Sequence, residues 1–144
     1  MRPSLLAGIE YELRYTVPDT KTVPHLYPES PEFAAMPAVF ATGFMVGLVE
    51  WACIRAIAPH LDDGELSVGT HVDLSHDAAT PPGMIVVARV RLESVDGRRL
   101  AFSAEAHDAT ERICAGRHQR FVVDRSRFDA GVDRKAAGRQ HSGT

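Results

Sequence analysis

Three polar residues in this 144-residue chain have side chains that can carry out acid–base or nucleophilic chemistry: Thr42, Glu50 and His76. Glu50 is the most unusual, because its neighbours at helical spacing, such as Gly47 and Cys53, are small or apolar. A carboxylate kept from water must take up a proton, accept hydrogen bonds or pair with a cation. Glu50 is therefore predicted to be either a general base or nucleophile, or the structural partner of an arginine from a strand.

Thr42 and His76 have ordinary structural interpretations beside the chemical ones. A threonine at the start of a helix commonly caps it, and eight helical residues would separate Thr42 from Glu50 by about 12 Å. Both could act on one reacting atom only if Thr42 lay in a loop that folds back. Alternation along the strand places His76 on the same face as Val68 and Val72. There it would be either a core histidine or a base that faces a cavity.

Glu50 is carried by a predicted helix over residues 42–58, which Pro59 ends. Before this helix, four prolines within residues 22–41 exclude a long helix or a central strand. A short helix over residues 30–35, capped by its serine, is predicted there. The many apolar residues of this loop are expected to pack as a lid or a pocket wall.

Alternating polar and apolar residues predict a first strand at 11–17 and four more strands after the helix. These four lie at 66–76, 84–95, 98–107 and 111–124. One long apolar helix beside an antiparallel sheet favours the α+β hotdog fold, in which a curved antiparallel sheet wraps around one long central helix. A cystatin-like or ferredoxin-like layout is the alternative. Gly69, in the middle of a strand, indicates a close approach to the backbone or a bulge.

The length and composition limit the domain count and the possible partners. A chain of 144 residues with 44% hydrophobic content suits one domain, assigned to residues 1–128, and residues 129–144 are predicted to be a flexible C-terminal tail. The net charge of −3 gives no reason to expect nucleic acid or an anionic membrane surface. The longest apolar stretch, 43–49, is far shorter than the roughly 20 residues that a bilayer span needs. No membrane segment is predicted.

Cysteine usage and the sheet edges bear on location and assembly. Cys53 and Cys114 lack the spacing of a disulfide scaffold or a zinc site, so no metal is predicted and a reducing cytoplasm is expected. The exposed edges of such a sheet favour a homodimer. The many arginines from Arg112 onward could attract a phosphorylated ligand or simply be solvated, with Arg117 and Arg120 as candidates for phosphate contacts.

Three longer motifs are more specific than any single residue: "KTVPHLYPESPEFAAMPAVFATGFMVGLVEWACIRAIAPHL", "GTHVDLSHDAATPPG" and "VDGRRLAFSAEAHD". Together they closely resemble the family of fluoroacetyl-CoA thioesterases and its hotdog-fold relatives. The resemblance covers about residues 11–128. It implies a homodimeric thioesterase that hydrolyses a small acyl-CoA, with no metal and with no cofactor apart from the CoA of the substrate. A role in resistance to fluoroacetate is implied as well.

The resemblance also assigns individual residues. It places the catalytic residues on Thr42, Glu50 and His76, a glycine near the thioester on Gly69, and lid residues over the acyl group on Val23, Leu26 and Phe33. The chain departs from the fluoroacetate-specific members at Met36, where they carry phenylalanine. Because methionine is flexible, the lid is expected to discriminate fluorine less sharply.

Together these observations predict a mechanism with defined roles. Glu50 attacks the thioester carbonyl or activates water, Thr42 orients the attacking group or donates to the developing oxyanion, and His76 acts as acid and base. Two alternatives stay open. One is a non-catalytic hotdog protein that binds or sequesters a small ligand, and the other is a hydratase acting on an enoyl thioester.

Overall fold

A five-stranded antiparallel sheet and one long helix form the centre of the molecule. The computed structural model describes the backbone of residues 1–142 and the side chains of residues 1–138. The strands are β1 Glu10–Thr16, β2 Glu65–Leu74, β3 Ile85–Asp96, β4 Arg99–His107 and β5 Arg112–Asp124. The helices are α1 Pro31–Ala34, α2 Thr42–Ile57 and α3 Arg125–Ser142, with short 3-10 turns at Asp19–Lys21, Val23–His25 and Ala58–His60.

The sheet has one buried and one exposed face. Its strands are hydrogen-bonded in the order β1-β3-β4-β5-β2, so β1 and β2 form the edges. Along β3, Val86 and Ala88 are buried, whereas Arg89 and Arg91 are exposed on the opposite face. Helix α2 contacts β1, β2, β3 and β4 on the buried face. The predicted arrangement of an antiparallel sheet around one long helix is therefore confirmed.

Helix α2 is held in the sheet by one apolar side. Its buried residues are Met45, Leu48, Val49, Ala52, Cys53, Ala56 and Ile57. Each large apolar side chain removed from water stabilises the fold by roughly 1.5–3 kcal/mol, so this side fixes the helix in place. The opposite side carries the exposed side chains of Trp51 and Ile54. By length and composition alone, Thr42–His60 would reach across a membrane, but its packing against the sheet is that of a core helix.

The proline-rich segment is an ordered loop whose two ends are joined. Thr22 and Phe40 form an isolated β-bridge, and both residues are buried. The predicted short helix is present as α1, and Ser30 caps it by accepting a hydrogen bond from the backbone N–H of Phe33 at 3.2 Å. Between its joined ends the segment lies at the surface, where Met36 is 51% exposed.

Strand β2 departs from the predicted alternation. Its pairing with β5 shifts register between Gly69 and His71, so a bulge changes which side chains face the core. Val72, predicted on the inward face with His76, is instead 45% exposed. The strand also ends at Leu74, so His76 lies in the loop that follows. The predicted extension of this strand to His76 is therefore wrong, and alternation along the strand does not set the orientation of the His76 side chain.

The chain continues from β5 directly into helix α3. The Asp124 side chain accepts a hydrogen bond from the backbone N–H of Arg127 at 3.0 Å, which is typical of an N-cap. Most described side chains of α3 are exposed, including those of Phe128 and Val132. The predicted domain boundary at residue 128 thus falls inside a helix. The flexibility of residues 129–144 stays a prediction, and residues 143–144 lie outside the described part.

Candidate active site

Thr42 and His76 form a hydrogen-bonded pair at the start of α2. Oγ1 of Thr42 lies 2.6 Å from Nδ1 of His76. Thr42 is the first residue of the helix, whereas its N-cap is Ala41, which makes no side-chain hydrogen bond. The alternative in which the Thr42 hydroxyl caps the helix is therefore wrong, and this hydroxyl contacts the imidazole instead.

The surroundings of His76 favour the neutral form of its ring. Burial lowers the pKa of His76 below its usual value, and the nearby Asp77 carboxylate opposes part of this effect. Within the described part of the chain, the buried Nε2 of His76 has no hydrogen-bond partner. Because buried polar atoms are normally paired, this nitrogen is unusual, and the proton-transfer role of His76 stays a prediction.

Glu50 lies two turns further along α2 and contacts an arginine from the sheet. Its Oε2 is 3.5 Å from Nη1 of Arg120 on β5, a distance suited to an ion pair rather than a short hydrogen bond. The Glu50 side chain is 37% exposed, whereas that of Arg120 is only 4% exposed. The two roles predicted for Glu50, partner of an arginine and general base or nucleophile, are thus compatible. An arginine holds the carboxylate, while solvent and small molecules can still reach it.

Arg120 is anchored by polar contacts inside the protein. Its Nε donates to Oγ of Ser67 at 2.8 Å and its Nη2 donates to the Ser67 carbonyl at 2.9 Å, while Nη1 lies 3.1 Å from Nε2 of His118. This burial does not support the phosphate-binding role suggested for Arg120, whereas Arg117 is exposed. Neither Ser67 nor His118 is among the site residues predicted from the sequence. His118 could have been found from the alternation along β5, because it lies on the same inward face as Arg120 and Val122.

Gly69 lies against the side chains of Glu50, His118 and Arg120. A Cβ at position 69 would lie 3.3 Å from Oε1 of Glu50, 3.3 Å from Cε1 of His118 and 3.5 Å from Nη1 of Arg120. Such distances are tight for a methyl group, so glycine lets β2 approach these side chains closely. Both features predicted as alternatives for Gly69 are present: side chains approach its backbone closely, and the bulge begins at this residue.

The cysteines do not compete as nucleophiles. Burial raises the pKa of Cys53 to about 12 and that of Cys114 to about 11. Both thiols therefore stay protonated near neutral pH, where a reactive cysteine would need to be a thiolate. Among the residues that the structure describes, no group of His, Cys, Asp and Glu side chains is arranged to hold a metal ion.

Part of the predicted lid covers the first turn of α2. A Cβ built on Gly43 would lie 3.0 Å from Cδ2 of Leu26, so Leu26 rests on the helix next to Thr42. Val23 fixes the base of the lid, since its backbone N–H donates to the Val39 carbonyl at 3.0 Å. The structure therefore brings Leu26 to the Thr42 end of α2, and its role as a lid residue over an acyl group stays a prediction.

The outer part of the lid is an aromatic and apolar surface. The rings of Phe33 and Tyr27 are stacked, with centroids 5.6 Å apart. Phe33 is half-buried, whereas Tyr27 is 56% exposed and Met36 is 51% exposed. Met36 thus lies at the surface of the single chain, and its predicted contact with an acyl group stays a prediction.

The polar residues form two groups along α2. Thr42 and His76 lie at its first turn, while Glu50 lies with Arg120 and Gly69 two turns later. The eight residues from Thr42 to Glu50 span about 12 Å of continuous helix. Thr42 is part of that helix and not of a loop that folds back, so the predicted condition for a shared reacting atom is not met within one chain.

Comparison with known proteins identifies the family. Residues 20–126 match the family model of FlK, the fluoroacetyl-CoA-specific thioesterase. A fluoroacetyl-CoA thioesterase from Streptantibioticus cattleyicolor is 51% identical over 135 residues, which cover 94% of this chain and 97% of that protein. A solved structure of the fluoroacetyl-CoA thioesterase FlK has a TM-score of 0.90 at 52% identity, and the match covers 92% of this chain and 98% of that one.

A more distant likeness concerns the fold alone. A hot-dog-like protein from Thermanaerovibrio acidaminovorans is 20% identical, with a TM-score of 0.76 over 93% of each chain. The predicted hotdog fold is therefore confirmed. The family match and the identity of about half extend over most of the chain. The chain belongs to the FlK family of fluoroacetyl-CoA-specific thioesterases and is an acyl-CoA thioesterase, a hydrolase of thioesters.

Proposed function

We propose that this chain hydrolyses a short-chain acyl-CoA of the fluoroacetyl-CoA type to the free acid and CoA, with Thr42, Glu50 and His76 as catalytic residues. The observation that carries this proposal is the 2.6 Å contact between the Thr42 hydroxyl and a partly buried imidazole. Glu50, which Arg120 holds at 3.5 Å, adds a carboxylate on the same helix. The substrate class is supported by the relative that is named a fluoroacetyl-CoA thioesterase.

The proposed mechanism gives each residue a separate task. Glu50 attacks the thioester carbonyl or activates a water molecule for the attack. The Thr42 hydroxyl donates to the carbonyl oxygen as it becomes negative, and the backbone N–H groups of the first turn of α2 add positive partial charge there. The neutral ring of His76 takes a proton from water and passes it to the thiolate of CoA. The scheme uses no metal and no cofactor other than the CoA of the substrate.

A homodimer completes the proposed site. Strand β2 is an edge strand, and α2 exposes Trp51 and Ile54, so a sheet edge and an apolar helix face are available for a second copy. Thr42 and His76 lie two turns from Glu50 on one helix. If two α2 helices pack side by side in opposite directions, Thr42 and His76 of one chain approach Glu50 of the partner subunit. The dimer then brings Thr42 and His76 of one chain together with Glu50 of the other.

The expected location is the cytoplasm. Both cysteines are unpaired and buried, which agrees with a reducing compartment. If fluoroacetyl-CoA is the main substrate, the biological role is resistance to fluoroacetate. The net charge of −3 gives no reason to expect nucleic acid or an anionic membrane surface as a further partner.

The acyl group that the lid prefers is set in part by Met36. Where fluoroacetate-specific members carry phenylalanine, this chain has a more flexible side chain, which can accommodate several acyl groups. We expect wild-type protein to separate fluoroacetyl-CoA from acetyl-CoA less sharply than Met36→Phe does. The ratio of kcat/KM for the two thioesters measures this difference directly.

The test of the proposed function is thiol release from fluoroacetyl-, acetyl-, propionyl- and a longer acyl-CoA, detected with DTNB. We expect turnover of the short thioesters, and at least about a hundredfold lower kcat in Glu50→Gln and in His76→Ala. Rates at background for the whole panel would contradict the proposal. Thermal stabilisation by acyl-CoA without turnover would instead support the ligand-binding alternative.

A further inference from the structure

His118 is a fully buried titratable residue with no task in the proposed mechanism. It lies on β5, is 0% exposed and is surrounded by polar contacts on both ring nitrogens. Its Nδ1 is 2.8 Å from the carbonyl oxygen of His71, and its Nε2 is 3.1 Å from Nη1 of Arg120. A buried imidazole with two specific partners has a defined protonation state, which the chemistry of those partners reveals.

The two partners define one tautomer of His118. A backbone carbonyl only accepts hydrogen bonds, so Nδ1 of His118 must carry the proton towards His71. A guanidinium only donates, so Nε2 must present its lone pair to Arg120. The ring is therefore neutral. Burial, the largest effect, also lowers the pKa of His118, in agreement with this assignment.

The nitrogen of Arg120 that contacts His118 is the same one that faces Glu50. Nη1 lies 3.1 Å from Nε2 of His118 and 3.5 Å from Oε2 of Glu50. The other two guanidinium nitrogens, Nε and Nη2, donate to Ser67. Because the guanidinium is planar and rigid, contacts on all three nitrogens fix its plane. The fixed plane then determines where Nη1 meets the carboxylate.

We propose that His118 is a positioning residue that acts through Arg120. As a neutral acceptor it holds Nη1 of Arg120 against Oε2 of Glu50, while the other oxygen, Oε1, lies beside Gly69. His118 itself touches no substrate. This inference rests on the proposed catalytic role of Glu50. The charged and titratable groups that act on His118 are Arg120, Glu50 and His71.

Two amide variants separate the contacts of His118. Glutamine reaches the position of Nε2 and can offer its carbonyl oxygen to Arg120, whereas asparagine reaches only the position of Nδ1 and leaves Arg120 without an acceptor. We expect His118→Gln to keep kcat within about threefold of wild type. We expect His118→Asn to lose about tenfold or more in kcat, with KM changed by less than about threefold. Melting temperatures of both variants show that the compared proteins are folded.

A double-mutant cycle tests whether His118 acts through Glu50. In the Glu50→Gln background, adding His118→Asn should change the residual rate by less than about twofold, because the group being positioned is already gone. A fully additive loss, or equal loss in the Asn and Gln variants, would overturn the positioning role alone. Full activity of Glu50→Gln would instead overturn the proposed function, and the positioning role with it.

The wild-type protein provides a test that does not depend on variants folding. Nitrogen-15 NMR of the histidine rings reports the tautomer and the charge of each ring. We expect His118 to show a proton on Nδ1 only, and to stay neutral at pH values where an ordinary histidine is already protonated. A proton on Nε2, or a charged ring at pH 7, would overturn the inference.

Discussion

The basicity of His76 is set by its neighbours. Burial lowers its pKa, and the Asp77 carboxylate raises it again in part. Since the pKa in the folded protein lies below the ordinary value of about 6.5, the ring stays neutral at pH values where an ordinary histidine is already protonated. In that same window the unfolded chain binds more protons, so the free energy of unfolding falls as the pH is lowered.

At the residue scale we therefore predict the acidic limit of activity. The acidic limb of the profile of kcat/KM against pH should lie below about pH 6.5. Asp77→Asn removes the carboxylate that raises the His76 pKa, so the limb should move to still lower pH. Asp73→Asn, which changes an exposed carboxylate on β2, serves as the control. A limb that moves to higher pH in Asp77→Asn would contradict this assignment.

At the element scale, the lid and the central helix meet at a glycine. Gly43 lies in the first turn of α2, where the Leu26 side chain comes within 3.0 Å of the position of a Cβ. Gly47, one turn later, has nothing within 4 Å of that position. The same helix thus offers two glycines, of which only one is in contact with the lid.

These two glycines give a matched comparison. Gly43→Ala should push Leu26 away from the helix, and we expect a several-fold rise in KM for short acyl-CoA substrates because the lid closes less well. Gly47→Ala should leave KM unchanged and stabilise the helix by roughly 0.5–1 kcal/mol. Steady-state kinetics and thermal melts of both variants measure the difference. Equal KM values would show that the lid does not close over this turn.

The elements that could be predicted from sequence are those with local signals. Pro59 marks the end of α2, and Ser30 followed by Pro31 marks α1. The bulge after Gly69 could not be predicted, because it depends on how β2 pairs with β5, about 50 residues further along the chain. For the same reason the contact of Ser67 with Arg120 has no sequence signal of its own. Thr42, Glu50 and His76 stood out by residue type, whereas their supporting contacts required the sheet register.

At the scale of the whole molecule, the exposed edge of β2 and the separation of the polar groups point to the same assembly. Val72 on β2 and Ile54 on α2 are both exposed apolar side chains. An edge strand with apolar neighbours is unfavourable in water and favours pairing. A second copy would cover this surface and would supply the missing part of each proposed site.

Subunit mixing tests this shared site. Thr42→Ala and Glu50→Gln chains, unfolded and refolded together, should form mixed dimers in which one site is intact, with roughly a quarter of wild-type activity overall. Mixing Thr42→Ala with His76→Ala should restore no activity, because each proposed site takes both of these residues from the same chain. Sedimentation analysis of each sample measures whether dimers have formed. If the first mixture stays as inactive as its components, the three residues do not come from two chains.

The burial of the cysteines has a practical consequence for measuring slow turnover. Cys53 and Cys114 are buried, and their pKa values of about 12 and 11 keep both sulfurs protonated. DTNB reacts with thiolates that it can reach, so the folded protein contributes little colour of its own. Enzyme can then be added at high concentration without a large blank. The weak activity of impaired variants thereby becomes measurable with the same reagent that detects released CoA.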